Sequence, residues 1–237
     1  MTVSQVRPTH VPSTMRVLLL LASLSLPLMA DNLSDVYSRL DKVAATFKGM
    51  TANVRQNVHT ELVHDDSVEN GTVKLRRPKP GDTRVLMDLT SPDQKTVAVE
   101  GDQIKIYLPK AKTVQVYDLR SRHNAVQQGL LLGFGATSAE IKASYDVTWI
   151  GSETLGGQPV SRIRLVPKSK EVLANMKQAD LWLSNTGGYP LQQRVITSGT
   201  GDYLELTYSN IQINPPLGDK DLRLNVPKGV QIQQVGK

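Results

Sequence analysis

MTANVRQNVHTEL, residues 50–62, carries apolar side chains at even positions and polar side chains at most odd positions. Met50, Ala52, Val54 and Val58 share one phase of this alternation. Successive side chains of a β-strand point to opposite faces, so a period of two predicts a long, half-buried strand. The stretch therefore indicates a sheet with one apolar face.

Upstream of this strand the apolar period becomes that of a helix. Apolar residues recur at spacings of three and four, which predicts an amphipathic helix. They are Leu33, Val36, Leu40, Val43, Ala44 and Phe47. Asn32 or Ser34 is suited to cap the start of the helix, and Gly49 ends it.

Downstream of residue 62 the alternation continues in short segments. The turns between them include DDSVENG at 65–71, EGD at 100–102 and GG at 156–157. Short turns join antiparallel strands that leave one face to solvent. We expect a mainly β (α+β) fold, a single curved antiparallel sheet of about 11 strands with a concave apolar face that the helix covers.

The alternation is interrupted once, at residues 120–144. This stretch predicts a loop with short helices at 125–132 and 138–143, the second capped by Ser138. The chain has no Pro- or Gly-rich linker, so we expect one domain, residues 31–237.

The N-terminus has the pattern of a secretory signal peptide. VLLLLASLSLPLMA, residues 17–30, is uncharged, follows Arg16 and ends at the small Ala30. As a helix it spans about 21 Å, less than a bilayer core of about 30 Å. We expect residues 1–30 to be removed near Ala30 and the product to be soluble in the periplasm. The alternative is a buried core helix.

Composition excludes several classes of protein. The 237 residues include 28 Lys and Arg and 22 Asp and Glu, a formal charge of +6, and no Cys. Disulfides, thiolate metal sites and a lipidated N-terminal Cys are therefore excluded. The modest charge and 5% aromatic content argue against a nucleic-acid partner.

Catalytic motifs are absent from the sequence. No GxSxG elbow, phosphate-binding loop or HExxH motif occurs, and His59, His64 and His123 are interpreted as surface histidines. Asp65–Asp66 and Asp219–Asp221 favour solvated turns over metal sites. We therefore expect a binding protein without enzymatic activity or cofactor.

Arg77 interrupts the apolar pattern of its strand. Val73, Leu75 and Arg77 are in phase, which directs Arg77 toward the apolar face beside Pro78. An unpaired buried charge is costly, so a guanidinium there requires partners. The alternative is a strand that ends before Arg77 and lets its head reach water.

The chain resembles the LolA-type periplasmic outer-membrane lipoprotein carriers. The resemblance lies in SDVYSRLDKVAATFKGMTANVRQ at 34–56, RRP at 76–78, IYLP at 106–109 and VPKGVQI at 226–232. It extends over most of the chain after residue 30. The family is usually richer in aromatic residues through these strands and loops.

The resemblance implies an unclosed β-barrel with a helical lid over a hydrophobic cavity. Such carriers take acylated lipoproteins from an inner-membrane ABC release complex to an outer-membrane lipoprotein acceptor. The family's functional arginine maps onto Arg77, where it implies a hydrogen bond to lid backbone in the closed state. We expect the protein to act as a monomer.

Apolar side chains of the strands and lid are candidates for the cavity lining, although each is equally suited to plain core. They are Leu40, Phe47, Val73, Leu75, Val85, Met87, Leu89, Ile104, Ile106, Leu131, Phe134 and Trp149. Two alternative functions use the same fold: a carrier of free lipid or glycolipid, and a regulatory module that senses lipids or lipoproteins.

Overall fold

The structure, a computed structural model, describes residues 1–2, 32–79, 82–118 and 132–235. The expected signal peptide, beyond its first two residues, lies outside the described residues. So do Leu131 and all but the last residue of the helix predicted at 125–132. Within the described ranges, no helix is long and apolar enough to cross a membrane.

The described residues form three α-helices. They are α1 (Leu33–Ala44), α2 (Ser138–Ser144) and α3 (Lys170–Leu173), and 3₁₀ turns occupy Glu61–Val63 and Asp219–Leu222. The predicted N-terminal helix is present and shorter than its apolar pattern, because Phe47 already belongs to the segment that leads into the first strand.

Side-chain caps set the starts of α1 and α2. The Asn32 side chain accepts a hydrogen bond of 3.1 Å from the Asp35 amide and begins α1. The cap of α2 is Thr137, not Ser138 as the sequence predicted. Thr137 is extended, and its Oγ1 accepts from the Glu140 amide at 3.1 Å, while Ser138 is already helical.

Twelve strands form one continuous sheet. They are β1 (Gly49–Thr60), β2 (Asp65–Lys79), β3 (Asp82–Ser91), β4 (Lys95–Glu100), β5 (Gln103–Leu108), β6 (Thr113–Asp118), β7 (Tyr145–Leu155), β8 (Gln158–Pro167), β9 (Met176–Ser184), β10 (Pro190–Thr197), β11 (Tyr203–Ile213) and β12 (Gln231–Val235). Their order is β12-β6-β5-β4-β3-β2-β1-β11-β10-β9-β8-β7. The edge strands β12 and β7 do not pair, so the curved sheet is an unclosed barrel, as expected.

One pairing differs from the antiparallel expectation. β12 runs parallel to β6, with Ile232 opposite Val114. The chain reaches this edge after crossing the outer face of the sheet, where Leu222 packs on Leu86 and Ala98. This long return path permits a parallel pairing that a tight hairpin does not.

The predicted turn at 65–71 is instead the first half of β2. Strands β1 and β2 pair without interruption from Gly49 opposite Arg76 to Thr60 opposite Asp65. Polar side chains support this half: Gln56 donates to Glu69 at 2.8 Å, and Asn57 donates to Asp66 at 2.8 Å. The hairpin therefore turns at residues 61–64, because cross-strand polar pairs stabilise a strand that composition alone assigns to a turn.

The outer face of strands β8–β11 carries a buried ion-pair group beside a small apolar cluster of Val160, Trp182 and Leu191. Asp180, almost fully buried, accepts hydrogen bonds from Arg162 and Arg164. Burial raises the pKa of the Asp180 carboxyl, but these hydrogen bonds outweigh burial and leave it below its ordinary value. The two larger apolar clusters of the sheet lie on its concave face.

Candidate functional site: an apolar cavity beneath a hydrogen-bonded loop

The concave face of the sheet carries two apolar clusters. The packed half joins strands β7–β9 to the three helices, with Val36 and Leu40 from α1, Ile141 from α2 and Val172 from α3. The open half lies on strands β1–β4 and β11, and Phe47 and Phe134 are the buried side chains that cover it, with the partly buried Val43 of α1 packed against it. A helix-covered core and a loop-covered core therefore lie side by side.

A cavity of about 220 Å³ lies in the open half. Its lining residues are Met50, Val73, Leu75, Val85, Met87, Phe134, Gln193, Val195, Leu204, Leu206 and Tyr208. Only Gln193 and Tyr208 are polar among them, and the Tyr208 hydroxyl donates to the Gln193 side chain at 2.8 Å. Burial raises the pKa of the Tyr208 hydroxyl. The cavity is thus an apolar space whose polar groups bond to each other.

A second cavity, of about 510 Å³, lies on the outer face beneath the C-terminal segment. It is larger, yet its wall includes Arg223 and the ion pair of Lys105 with Glu100, whose atoms are 3.1 Å apart. The rest of its lining is apolar and comes from β6, β12 and the C-terminal surface segment. The inner cavity, in contrast, lies on the concave face and has no charged residue in its lining.

We call residues 132–137 the covering loop. Its Phe134 is almost fully buried and packs edge-on against Tyr208, with ring centres 5.2 Å apart. Gly133 and Gly135 on either side have φ of +81° and +67°. A Cβ on Gly135 would lie 2.3 Å from Cδ1 of Phe47, so glycine is required for the loop to seat its aromatic ring.

Arg77 ties the covering loop to the sheet. Its Nη1 donates to the carbonyl oxygen of Gly135, and its Nη2 lies 3.2 Å from Glu140 Oε1. The side chain is 15% exposed. Strand β2 continues through Arg77 to Lys79. The guanidinium thus has the partners that its position on the apolar face requires.

Glu140 links this ion pair to the start of α2. Its carboxylate accepts from the Thr137 amide at 2.8 Å and completes a capping box. Burial raises the pKa of Glu140, but hydrogen bonds from Thr137 and Arg77 outweigh it and hold the pKa below the ordinary value. Arg77 therefore faces a permanent negative charge at neutral pH.

Two further hydrogen-bonded contacts hold the covering loop. Gln193 donates from Nε2 to the carbonyl oxygen of Leu132. The Asp41 carboxylate on α1 accepts from the amide and the hydroxyl of Ser138, both at 2.7 Å. The loop is fastened at its beginning, middle and end by polar side chains.

The predicted lining residues fall into distinct places. Val73, Leu75, Val85, Met87 and Phe134 line the cavity. Phe47, Leu89 and Ile104 lie in or against the same cluster without lining the cavity. Leu40 and Trp149 belong to the packed half. Ile106 is half-buried on β5 opposite Val97, and Leu131 lies outside the described residues.

Sequence reasoning missed Met50 of β1 and the lining residues that come from the distant strands β10 and β11. These residues are Met50, Gln193, Val195, Leu204, Leu206 and Tyr208. All stand in the inward phase of predicted strands, and Leu206 pairs with Gln56 across the β1–β11 contact. The pairing of β1 with β11 joins residues that are far apart in sequence, and no local sequence pattern predicts it.

The comparisons with known proteins agree with this geometry. The profile of the family described as "Outer membrane lipoprotein carrier protein LolA" matches residues 45–223. The chain belongs to the LolA family. No curated protein matches the sequence significantly.

Solved structures align with the chain at low sequence identity. An uncharacterized conserved protein from Thermus thermophilus aligns with a TM-score of 0.52 at 11% identity, covering 85% of this chain and 98% of that one. The Mycobacterium tuberculosis lipoprotein LppX aligns with a TM-score of 0.45 at 15% identity, covering 79% and 99%. The LolA superfamily protein NE2245 from Nitrosomonas europaea has a TM-score of 0.38 at 12% identity, covering 82% and 99%. At these identities the likeness concerns the fold alone.

Proposed function

We propose that this LolA-family protein carries the acyl chains of lipoproteins across the periplasm. It receives them from an inner-membrane ABC release complex and delivers them to an outer-membrane lipoprotein acceptor. The observation that supports this role is the apolar cavity closed by a loop that Arg77, Gln193 and Asp41 hold through hydrogen bonds. Export to the periplasm rests on the apolar segment 17–30.

The cavity is small for its proposed cargo. Ligand pockets usually measure about 300–1,000 Å³, and the closed cavity measures about 220 Å³. Loading therefore requires Phe134 to move out with the covering loop. Each CH₂ of an acyl chain transferred from water into the cavity contributes about 0.8 kcal/mol, which drives this displacement.

Arg77 sets how readily the loop opens. In the closed state its guanidinium bonds the Gly135 carbonyl and pairs with Glu140 at 3.2 Å. When the loop lifts, hydrogen bonds to water replace these contacts of Arg77. The free energy that this exchange costs lowers the affinity for cargo. A carrier needs this limit, because a cavity that bound acyl chains with full affinity would not release them. Arg77 is thus a gating residue and not a catalytic one.

The protein acts in this proposal as a monomer without cofactor, nucleic acid or enzymatic activity. The polar groups at the cavity wall, Gln193 and Tyr208, bond each other at 2.8 Å. Acyl chains need no polar partner, so this wall suits them better than it suits a sugar headgroup.

A release assay tests the role directly. Purified protein is added to spheroplasts that hold labelled lipoprotein, and soluble lipoprotein is measured, followed by transfer to outer-membrane vesicles. We expect the natural protein to release and transfer the label. Arg77→Leu should release the labelled lipoprotein from the spheroplasts but should not transfer it to the vesicles. The reason is that the closed, empty state is no longer favoured over the loaded state.

Arg76→Leu is the matched control. Arg76 precedes Arg77 on the same strand but points to the outer face, where it pairs with Asp219. It should transfer lipoprotein like the natural protein. Absence of release, with phospholipid or glycolipid bound to the purified protein, would contradict the lipoprotein role and leave a carrier of free lipid. Equal retention by both variants would contradict the gating role of Arg77.

A further inference from the structure

The tip of the β1–β2 hairpin gathers three metal-ligating side chains. His59 lies near the end of β1, Glu61 begins the 3₁₀ turn, and His64 follows it in the left-handed conformation with φ of 50°. The two histidine nitrogens and one carboxylate oxygen that they offer all lie within 4.8 Å of one another. Sequence reasoning treated these histidines as independent surface residues, because the spacing His-x-Glu-x-x-His matches no familiar motif.

The imidazole of His59 is held in a fixed orientation. It stacks on the ring of Tyr203, with centres 4.7 Å apart and planes 13° from parallel. Its Nδ1 lies 3.2 Å from Asp66 Oδ1, and that carboxylate also accepts from Asn57 at 2.8 Å. Metal-binding histidines characteristically bond a carboxylate through the nitrogen that does not bind the metal.

The other nitrogen of His59 faces a second carboxylate. Nε2 lies 3.2 Å from Glu61 Oε2. The Nε2 atom is therefore directed at the Glu61 carboxylate, and the two groups present neighbouring donor atoms.

The distances suit a small transition-metal ion. Ligand atoms of a tetrahedral zinc site with bonds of about 2.0–2.1 Å are about 3.3 Å apart. The Nε2–Oε2 distance of 3.2 Å already has this value. His64 is exposed on the turn, so its ring can approach without disturbing packed side chains. Two imidazoles and one carboxylate with an open fourth position form a donor set that zinc commonly takes.

We propose that His59, Glu61 and His64 bind a divalent transition-metal ion, with Zn²⁺ the ion that this donor set suits, and that Asp66 positions His59 for it. The ion would connect the end of β1 to the turn that follows it. That turn carries the exposed Leu62 and Val63. The site faces away from the cavity, because His59 and Tyr203 alternate along their strands with Val58 and the cavity-lining Leu204.

The test is a titration of tag-free protein with Zn²⁺ against a chromophoric chelator, and with Co²⁺ followed by its visible d–d bands. We expect one ion per chain and a tetrahedral Co²⁺ spectrum. Asp66→Asn should lower the affinity about 10- to 100-fold, the usual effect of removing such a partner. His64→Ala should lower it further, since a ligand is lost, and it alters only an exposed turn.

His123→Ala is the matched control, because it removes a histidine elsewhere in the sequence. It should leave Zn²⁺ affinity unchanged. Absence of binding that competes with the chelator would overturn the site, as would equal affinity in His64→Ala and His123→Ala. Circular dichroism of each variant confirms that it is folded. The lipoprotein release assay is independent of this result, so failure of either proposal leaves the other standing.

Discussion

The two halves of the concave face use the same strand pattern in different ways. In the packed half, Ile163, Leu165 and Leu181 are fully buried beneath helices that contribute several side chains. In the open half, Phe134 of the covering loop and the neighbouring Phe47 cover the strands, and a cavity of about 220 Å³ remains. The sheet is continuous across both halves, so the difference lies in what covers it.

This difference separates the part that stabilises the fold from the part that can move. Lifting a helix exposes its whole apolar face to water, at roughly 25 cal/mol for each Å² of apolar surface. Lifting the covering loop exposes two buried side chains, Leu132 and Phe134, and exchanges hydrogen bonds of Arg77 and Gln193 for bonds to water. Movement therefore requires the least free energy where the cavity lies.

The largest expected effect compares the same substitution in the two halves. Leu181→Ala removes a side chain packed on all sides, and we expect a loss near the top of the roughly 2–5 kcal/mol range for Leu→Ala. Leu75→Ala removes a side chain that already borders the cavity, so fewer contacts are lost and the cost lies near the bottom of that range. Urea denaturation measures both free energies of unfolding. Equal losses would mean that the open half is packed as tightly as the other.

The sequence predicts much of this arrangement, namely the parts that depend on local geometry. Alternation from Met50 to Val58 and the helical spacing from Leu33 to Phe47 depend on local geometry, so strands and helix are predictable from the chain. The phase of Val73, Leu75 and Arg77 placed Arg77 on the apolar face, where the structure has it.

Contacts between strands that are distant in sequence are not predictable from local patterns. Leu206 lines the cavity because β11 pairs with β1, and this register depends on the whole sheet. Val114 and Val116 are apolar side chains that face outward, where the C-terminal segment covers this part of the outer face. The ligand set at His59 depends on a turn placed at residues 61–64 and not at 65–71.

A middle-sized effect concerns the two phenylalanines, the only ones in the sequence. Phe134→Leu keeps an apolar side chain at the cavity and should cost less than about 1.5 kcal/mol of stability. We expect a fluorescent fatty acid to associate several-fold faster, because a smaller side chain is displaced. Stopped-flow mixing measures the rate.

Phe47→Leu is the control for this change. Phe47 packs against the loop, 6.5 Å from the Phe134 ring centre, but does not line the cavity. Its association rate should stay close to that of the natural protein. A faster rate in Phe47→Leu and not in Phe134→Leu would place the entry path elsewhere in the covering segment.

The smallest effect is electrostatic and concerns the fastening of the loop at its end. Hydrogen bonds from the Ser138 amide and hydroxyl lower the pKa of Asp41 below 3.8, and burial opposes them only in part. A carboxyl whose folded pKa is depressed contributes stability above its unfolded pKa and loses it as the pH falls through the folded value. The attachment of α2 to α1 should therefore weaken only below about pH 4, and the Ser138 amide resonance should shift with a midpoint below 3.8. In Asp41→Asn that shift should vanish, because the contact between α1 and α2 then has no carboxylate that acid can protonate. A midpoint at or above 3.8 would mean that Ser138 does not hold the carboxylate, and the loop would then rely on Arg77 and Gln193 for its closure.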